Sequence, residues 1–386
     1  MACKAFINIG KIVSGAIDNP VLDGDTIIVE DGLIAAIGTA DLLDKYQADQ
    51  IFDVKGTTVT PGLIDSHVHP VLGDFTPRQK TLDFLDSALH GGVTTMISAG
   101  EPHTPGRPKD PDGVKALAVL AHKSFYNLRP SGIKVHAGAV ILEKGLTEKD
   151  FEELARQGVW LVGEIGLGSV KTADEAATMV GWAKKNNMKV AIHSGGTSIP
   201  GSSAITADMV IAINPTVVSH TNGGPTALPE DEIDRLIEQT ELPLEIVQCG
   251  NIKAAFFIAS RLKAKNQLHR IIMGNDSPSG SGIIPLGILR TMAQVASLAG
   301  IEPEKVVAMA SGNTAGIYGL NCSLVELGRE ADLVVMDAPI GSAGQDAMAA
   351  LQKGDLPGIS LVMIDGEAKV FKSRNTPPAT RQVEVS

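Results

Sequence analysis

The chain has 386 residues, 44% of them hydrophobic and 20% charged, with a formal net charge of −11. That length accommodates two to three domains, or one α/β barrel of about 250 residues with an appended unit. An acidic balance without a Lys/Arg cluster excludes the basic footprint of a nucleic-acid partner, and the lack of an apolar run of about 18 residues excludes a spanning helix and with it a membrane partner.

The N-terminal stretch Met1–Gly10 has too short an apolar run for a signal segment, so the expected location is cytoplasmic. Up to about residue 60 the pattern is of short strands: Ala5–Ile9, Lys11–Val13, Asp25–Glu30, Leu33–Ile37 and Ile51–Val54, with one short helix at Asp41–Tyr46 and a hairpin signal at Glu30-Asp31-Gly32. Eight apolar runs follow: Gly62–His67, Val93–Ala99, Ile133–Ile141, Val159–Ile165, Lys189–His193, Thr216–His220, Leu244–Gln248 and Arg270–Gly274. Helical segments separate them, at Arg78–His90, Gly113–Asn127, Glu148–Gln157, Ala173–Asn187, Glu230–Thr240 and Ile252–Lys265. Continuous apolarity predicts strands buried on both faces, and alternation with helices predicts a parallel sheet, which eight units close into a (β/α)8 TIM barrel. After about 310 the short-strand texture returns at Leu324–Glu326, Asp332–Met336, Ile359–Ile364 and Glu367–Phe371, with a second hairpin at Ile364-Asp365-Gly366-Glu367; the polar tail Ser373–Ser386 reads as poorly ordered. The predicted organisation is α/β: a barrel over 61–309 and a small β-sandwich domain built from both termini, 1–60 and 310–386. Cys3, Cys249 and Cys322 are far apart and read as packing residues.

Barrels of this kind place their chemistry at the C-terminal ends of the strands. The first run ends in His67-Val68-His69, a two-residue spacing that puts both imidazoles on one face of a strand. The fourth carries Glu164, the fifth ends at His193, the sixth at His220, and Asp276 follows the eighth. Four histidines and two carboxylates on one rim predict a pair of divalent ions, with His67, His69 and Asp276 on one, His193 and His220 on the other, and a carboxylate between. Glu164 is favoured for that bridge over Lys171, which lies past the strand; Asp276 could instead cap a helix. His136 reads as a barrel filler, and His90, His122 and His269 as structural. His103, Lys171 and Asn251, on the loops after the second, fourth and seventh strands, are candidates for binding a substrate carboxylate.

These ligands, together with the closing Ser311–Leu320 and Gly328-Arg329-Glu330-Ala331-Asp332-Leu333-Val334-Val335, resemble the amidohydrolase superfamily over nearly the whole chain. The resemblance implies a hydrolase of C–N bonds whose Asp276 both ligates metal and shuttles a proton to the leaving atom. Many binuclear members bridge their metals with a carboxylated lysine; a glutamate at 164 points away from those and toward cyclic-amide hydrolases that use a glutamate. The implied reaction converts 6-oxo-1,4,5,6-tetrahydronicotinate to 2-formylglutarate and ammonia, with two zinc or iron ions per chain and a homotetrameric assembly. Other cyclic-amide or imide hydrolases, an isoaspartyl-dipeptidase-like enzyme and a non-catalytic scaffold are the alternatives.

Overall fold

The computed structural model describes residues 2–70, 84–101, 104, 106–223, 226–278 and 284–386. Its centre is a barrel of eight parallel strands. Leu63–Val68, Val93–Ser98 and Lys134–His136 form one run, and Leu161–Ile165, Lys189–Ile192, Val217–Val218, Leu244–Val247 and Ile271–Gly274 another. Single bridges join them at both margins: Val140 pairs with Val162, and Val68 with Ser277, so the eighth strand meets the first. The predicted third strand shrinks from Ile133–Ile141 to three residues, since Gly138 turns the chain at a φ of +89°. Residues 84–89 are helical, and the earlier part of the helix expected at Arg78–His90 lies outside the described residues.

The barrel interior is apolar at its N-terminal end. Ile64, Ile97, Leu161, Val217 and Ile272 pack there against Ala315 and Tyr318 of the helix Gly312–Tyr318, which closes that mouth. The outer faces of the strands bury residues such as Leu63, Val190, Leu244 and Ile246 against the surrounding helices. What the barrel can offer a ligand is therefore confined to its C-terminal end.

Two further sheets take strands from both ends of the chain. One has five strands, with Cys3–Ile7 at its middle and the C-terminal Glu384–Val385 at an edge; the other has six, with Thr58–Pro61 beside Leu333–Asp337. Both expected hairpins form, and their turns place Asp31, Gly32, Asp365 and Gly366 all at positive φ, as two-residue turns of this hand require. The sheets share a core of Phe6, Ile27 and Phe52 from one and Val59, Leu333, Val335 and Leu361 from the other, making a sandwich. Strand alternation then does a second job: Val334 and Met336, on the opposite face from Leu333 and Val335, belong to the core of the barrel's helical layer. The sandwich thus braces the barrel from the side.

The tail corrects its sequence reading. Arg381 donates to both carboxylate oxygens of the buried Asp337, and Glu384–Val385 pairs antiparallel with Gln50–Asp53. Residues Leu324–Glu326, expected as a strand, form an irregular bend instead. Among the described residues no helix is long and apolar enough to cross a membrane.

Candidate metal centre

Six side chains, five of them buried and Asp276 half-buried, converge at the C-terminal end of the barrel. His67 and His69 flank Val68, whose side chain joins the outer core, so alternation turns both imidazoles inward with ring centroids 5.1 Å apart. Glu164 enters from the fourth strand. Its Oε2 lies 3.5 Å from His67 Nε2 and 3.7 Å from His69 Nε2, while its Oε1 lies 2.7 Å from His220 Nε2. His193 presents Nδ1 to His220 Nε2 at 3.0 Å, its own Nε2 being tied to the Gly196 carbonyl at 2.6 Å. Asp276 Oδ1 completes the ring, 3.2 Å from His69 Nε2 and 3.5 Å from His67 Nε2.

Local backbone choices make this convergence possible. Gly274 passes so close to the first strand that a Cβ there would lie 2.6 Å from that of His67. Gly195, at a φ of +93°, lets the loop after His193 run against the Thr226 carbonyl, which any side chain would strike. His220 and Asp276 themselves adopt positive φ, 29° and 56°, conformations that cost a non-glycine residue energy and tend to be kept at working sites. Asp276 caps no helix, since the next described helix begins at Gly287.

A carboxylate that sequence reading passed over organises the set. Glu245, buried within the seventh strand, accepts from His67 Nδ1 at 2.7 Å, from the His220 backbone N–H at 3.0 Å and from the Ser66 hydroxyl. His69 Nδ1 is held by the Gly100 carbonyl at 2.8 Å. Two of the six donors therefore have their outer nitrogens fixed so that Nε2 faces inward, the arrangement of imidazoles oriented to bind metal. Asp65, also missed, accepts from the backbone and side-chain amides of Asn275 and so anchors the turn that delivers Asp276; burial pushes its own pKa up to about 7. Cys249, read as packing, instead places its thiol 3.4 Å from Asp276 Oδ2.

The electrostatics favour a cation. Burial opposes charge on His67 and His220, yet Glu245, Glu164 and Asp276 together raise the pKa of His67 well above its usual range, and Glu164 raises that of His220. Against the same burial, His67 and His220 lower Glu164, and His67 and His69 lower Asp276, so both carboxylates stay anionic. His193 is pushed down by burial and by its neighbour His220, which favours the neutral, ligating imidazole. His67 Nε2 and Glu164 Oε1 are both buried with no hydrogen-bond partner among the described residues. Donor atoms fall into two groups, His67/His69/Glu164 and Glu164/His193/His220, each within 4.8 Å of one another and sharing Glu164. Such a donor set fits divalent ions.

Of the remaining expectations, Lys171 lies in the loop with its amine donating to the Gly201 carbonyl. Asn251 caps the helix Ile252–Ala264 by accepting from the Ala254 N–H at 3.1 Å. His103 lies outside the described residues. His136 stacks edge-on against Trp160, as a filler would.

Residues 58–369 match the family model described as the amidohydrolase family. The chain is similar to an enamidase of Eubacterium barkeri, 61% identical over 378 residues that cover 98% of each protein. A crystal structure of enamidase superposes with a TM-score of 0.96 at 60% identity, covering 100% of both chains. A β-aspartyl dipeptidase of Fervidobacterium islandicum shares the fold alone, with a TM-score of 0.65 at 15% identity over 96% of this chain and 97% of its own.

Proposed function

The chain belongs to the amidohydrolase family, and we propose that it opens a cyclic amide, 6-oxo-1,4,5,6-tetrahydronicotinate, to give 2-formylglutarate and ammonia. In this reading His67, His69 and Asp276 would hold one divalent ion and His193 and His220 a second, with Glu164 available to both. The observation that carries it is the membership of Glu164 in both donor groups, on a chain so close to an enamidase. Imidazole and carboxylate donors without thiolate suit zinc or iron.

When bound, such ions supply a polarised amide carbonyl and a water ionised near neutral pH. The chain's own contribution is positional and protonic. Asp276, held anionic by His67 and His69 although half-buried, accepts the proton of the attacking water. It then delivers that proton to the ring nitrogen as the C–N bond breaks, which a poor nitrogen leaving group requires. The released enamine tautomerises to an imine, and a second water converts it to aldehyde and ammonia. Glu245 keeps the His67 and His220 segments in register while this occurs.

The test is ammonia release from a panel of cyclic amides, with metal content measured on the same preparation. Turnover of the tetrahydronicotinate lactam above unconjugated lactams is expected; a chain that carries metal and releases ammonia from none of them refutes the reading.

A further inference from the structure

A cavity of about 520 Å³ is lined by loops that leave the second to fifth barrel strands, at the same strand ends that carry the donor residues. That volume is ample for a six-membered lactam. One wall continues directly from the Glu164 strand: Leu167, whose N–H reaches back to the Glu164 carbonyl, lines it together with Lys171. The opposite wall, at Gly201, belongs to the loop that follows His193. Arg107 and Lys109 enter from the loop after the second strand.

The charge of this lining is unusual for a chain with a net charge of −11. Among the described lining residues three cations, Arg107, Lys109 and Lys171, face one carboxylate, Glu143, an excess of two positive charges. The Glu143 carboxylate is already engaged, one oxygen 2.8 Å from Arg107 Nη1 and the other accepting from the Ser169 N–H at 2.8 Å. That buried pair is scaffolding, which fixes two of the loops to each other. The two lysines are not neutralised by it, and the Lys171 amine uses the Gly201 carbonyl for only one of its three donors. The Thr104 hydroxyl, also in the lining, is buried with no hydrogen-bond partner among the described residues. A buried unpaired hydroxyl costs free energy unless a ligand completes it.

We propose that this cavity is the carboxylate subsite of the enzyme: Lys171 and Lys109 hold the ring carboxylate of the substrate, and the Thr104 hydroxyl donates to it, while the lactam carbonyl faces the Glu164 end. The inference rests on the proposed function and names the part of the substrate that the metal donors leave unrecognised. Ring opening turns the amide carbonyl at the Glu164 end into a second carboxylate, so a simple dicarboxylate mimics the product.

The probe is glutarate, a saturated dicarboxylate without a scissile bond, titrated calorimetrically into the metal-loaded enzyme and into its Lys171→Met, Lys109→Met and Lys171→Arg variants. Each methionine variant is expected to bind glutarate about tenfold more weakly or worse, the scale of a hydrogen bond to a charged group, and Lys171→Arg to recover most of that loss. The KM for the carboxylated lactam should rise in parallel with kcat little changed, whereas the KM for uncharged 2-piperidone should stay put. Equal glutarate affinity in wild type and methionine variants overturns the proposal, and so does an equal rise in KM for both lactams. An enzyme that opens neither lactam refutes the proposed reaction instead, and the glutarate titration still decides the subsite.

Discussion

Glu245 offers the sharpest test of how the donor set is held. Its carboxylate takes hydrogen bonds from His67 Nδ1 at 2.7 Å, the His220 N–H at 3.0 Å and the Ser66 hydroxyl, and so ties the strand bearing one donor group to the strand bearing the other. Glu245→Gln keeps the shape. Its single carbonyl oxygen can take both the His67 and His220 donors, because one carboxylate oxygen already does. Its amide can donate to Ser66, whose proton is then released to the Met273 carbonyl, 2.8 Å away. No bond is lost; the two from His67 and His220 pass from charge-assisted to neutral, which together costs about 1–2 kcal/mol. Glu245→Leu keeps the volume but leaves His67 Nδ1 and the His220 N–H buried and unpaired, at about 1–3 kcal/mol each.

The two variants should therefore separate. Glu245→Gln should fold within about 1–2 kcal/mol of wild-type stability yet lose metal about 10- to 100-fold more readily in a graded chelator titration, the usual cost of removing a carboxylate behind a ligating imidazole. Glu245→Leu should show the same weakening and, as metal-free protein in denaturant, lose about 2–6 kcal/mol of stability. Mass spectrometry of the dialysed protein gives ions per chain at each chelator concentration. Glu245→Gln retaining metal as wild type does, with Glu245→Leu no less stable, would show that the hydrogen bonds of Glu245 orient nothing.

Other outcomes follow from the same geometry. Active protein should contain two metal ions per chain, and Glu164→Gln should lower that number and cut turnover sharply without unfolding the barrel; elemental analysis finding at most one ion in active wild type refutes the shared bridge. Asp276→Asn should keep some metal while kcat falls by about 10² to 10⁴, the range for lost general acid–base catalysis; unchanged kcat makes Asp276 a bystander. Burial and the Lys134 charge hold His136 down to about 4, against 6.5 ordinarily, so the unfolded chain binds a proton between those values that the folded chain refuses. Stability is then full above pH about 6.5 and declines by about 3 kcal/mol as the pH falls to 4; denaturant curves for His136→Gln should lack that part of the slope, and an identical slope counts against the assignment. Arg381→Met should destabilise by about 2 kcal/mol, since it strips the buried Asp337 of its charged donor, and an unchanged unfolding midpoint would contradict the view that the tail is part of the fold.

The barrel was legible because strands covered on both faces leave continuous apolar runs, and the helices between them are mostly amphipathic. Glu148–Arg156 and Glu230–Gln239, for example, each bury one narrow stripe. Helices with only a narrow polar stripe, such as Arg290, Gln294 and Ser297 on one of them, gave a weaker signal. Gly287–Leu298 buries Ile288, Leu289, Thr291, Met292, Val295 and Ala296 at once, because it lies between the barrel and the helix Ala347–Lys353. The shortest, such as Ala207–Ile213, span only two turns, too few for any period to stand out. The tail misled for the opposite reason. Its polar composition matches that of disordered ends, but its order comes from Arg381 on Asp337 and from strand pairing with residues more than three hundred positions away, neither of which composition registers.

Within the site, visibility depended on where each residue stood in its strand. His67, His69, His193, His220 and Asp276 lie at or just past strand ends, where an apolar run gives way and a polar residue is conspicuous. Glu245 lies inside a run and was absorbed into it, though alternation held the clue. Leu244 and Ile246 pack outward against the helices, which forces residue 245 into the barrel lumen, where a lone carboxylate cannot remain without donors. The lumen at that level is flanked by His67 on the first strand and by the backbone of His220 on the sixth, and those groups supply the donors. An ionisable residue at an inward position of a barrel strand thus implies partners on other strands before any of them is known, and by that rule Glu245 points to the same histidines that the strand ends revealed separately.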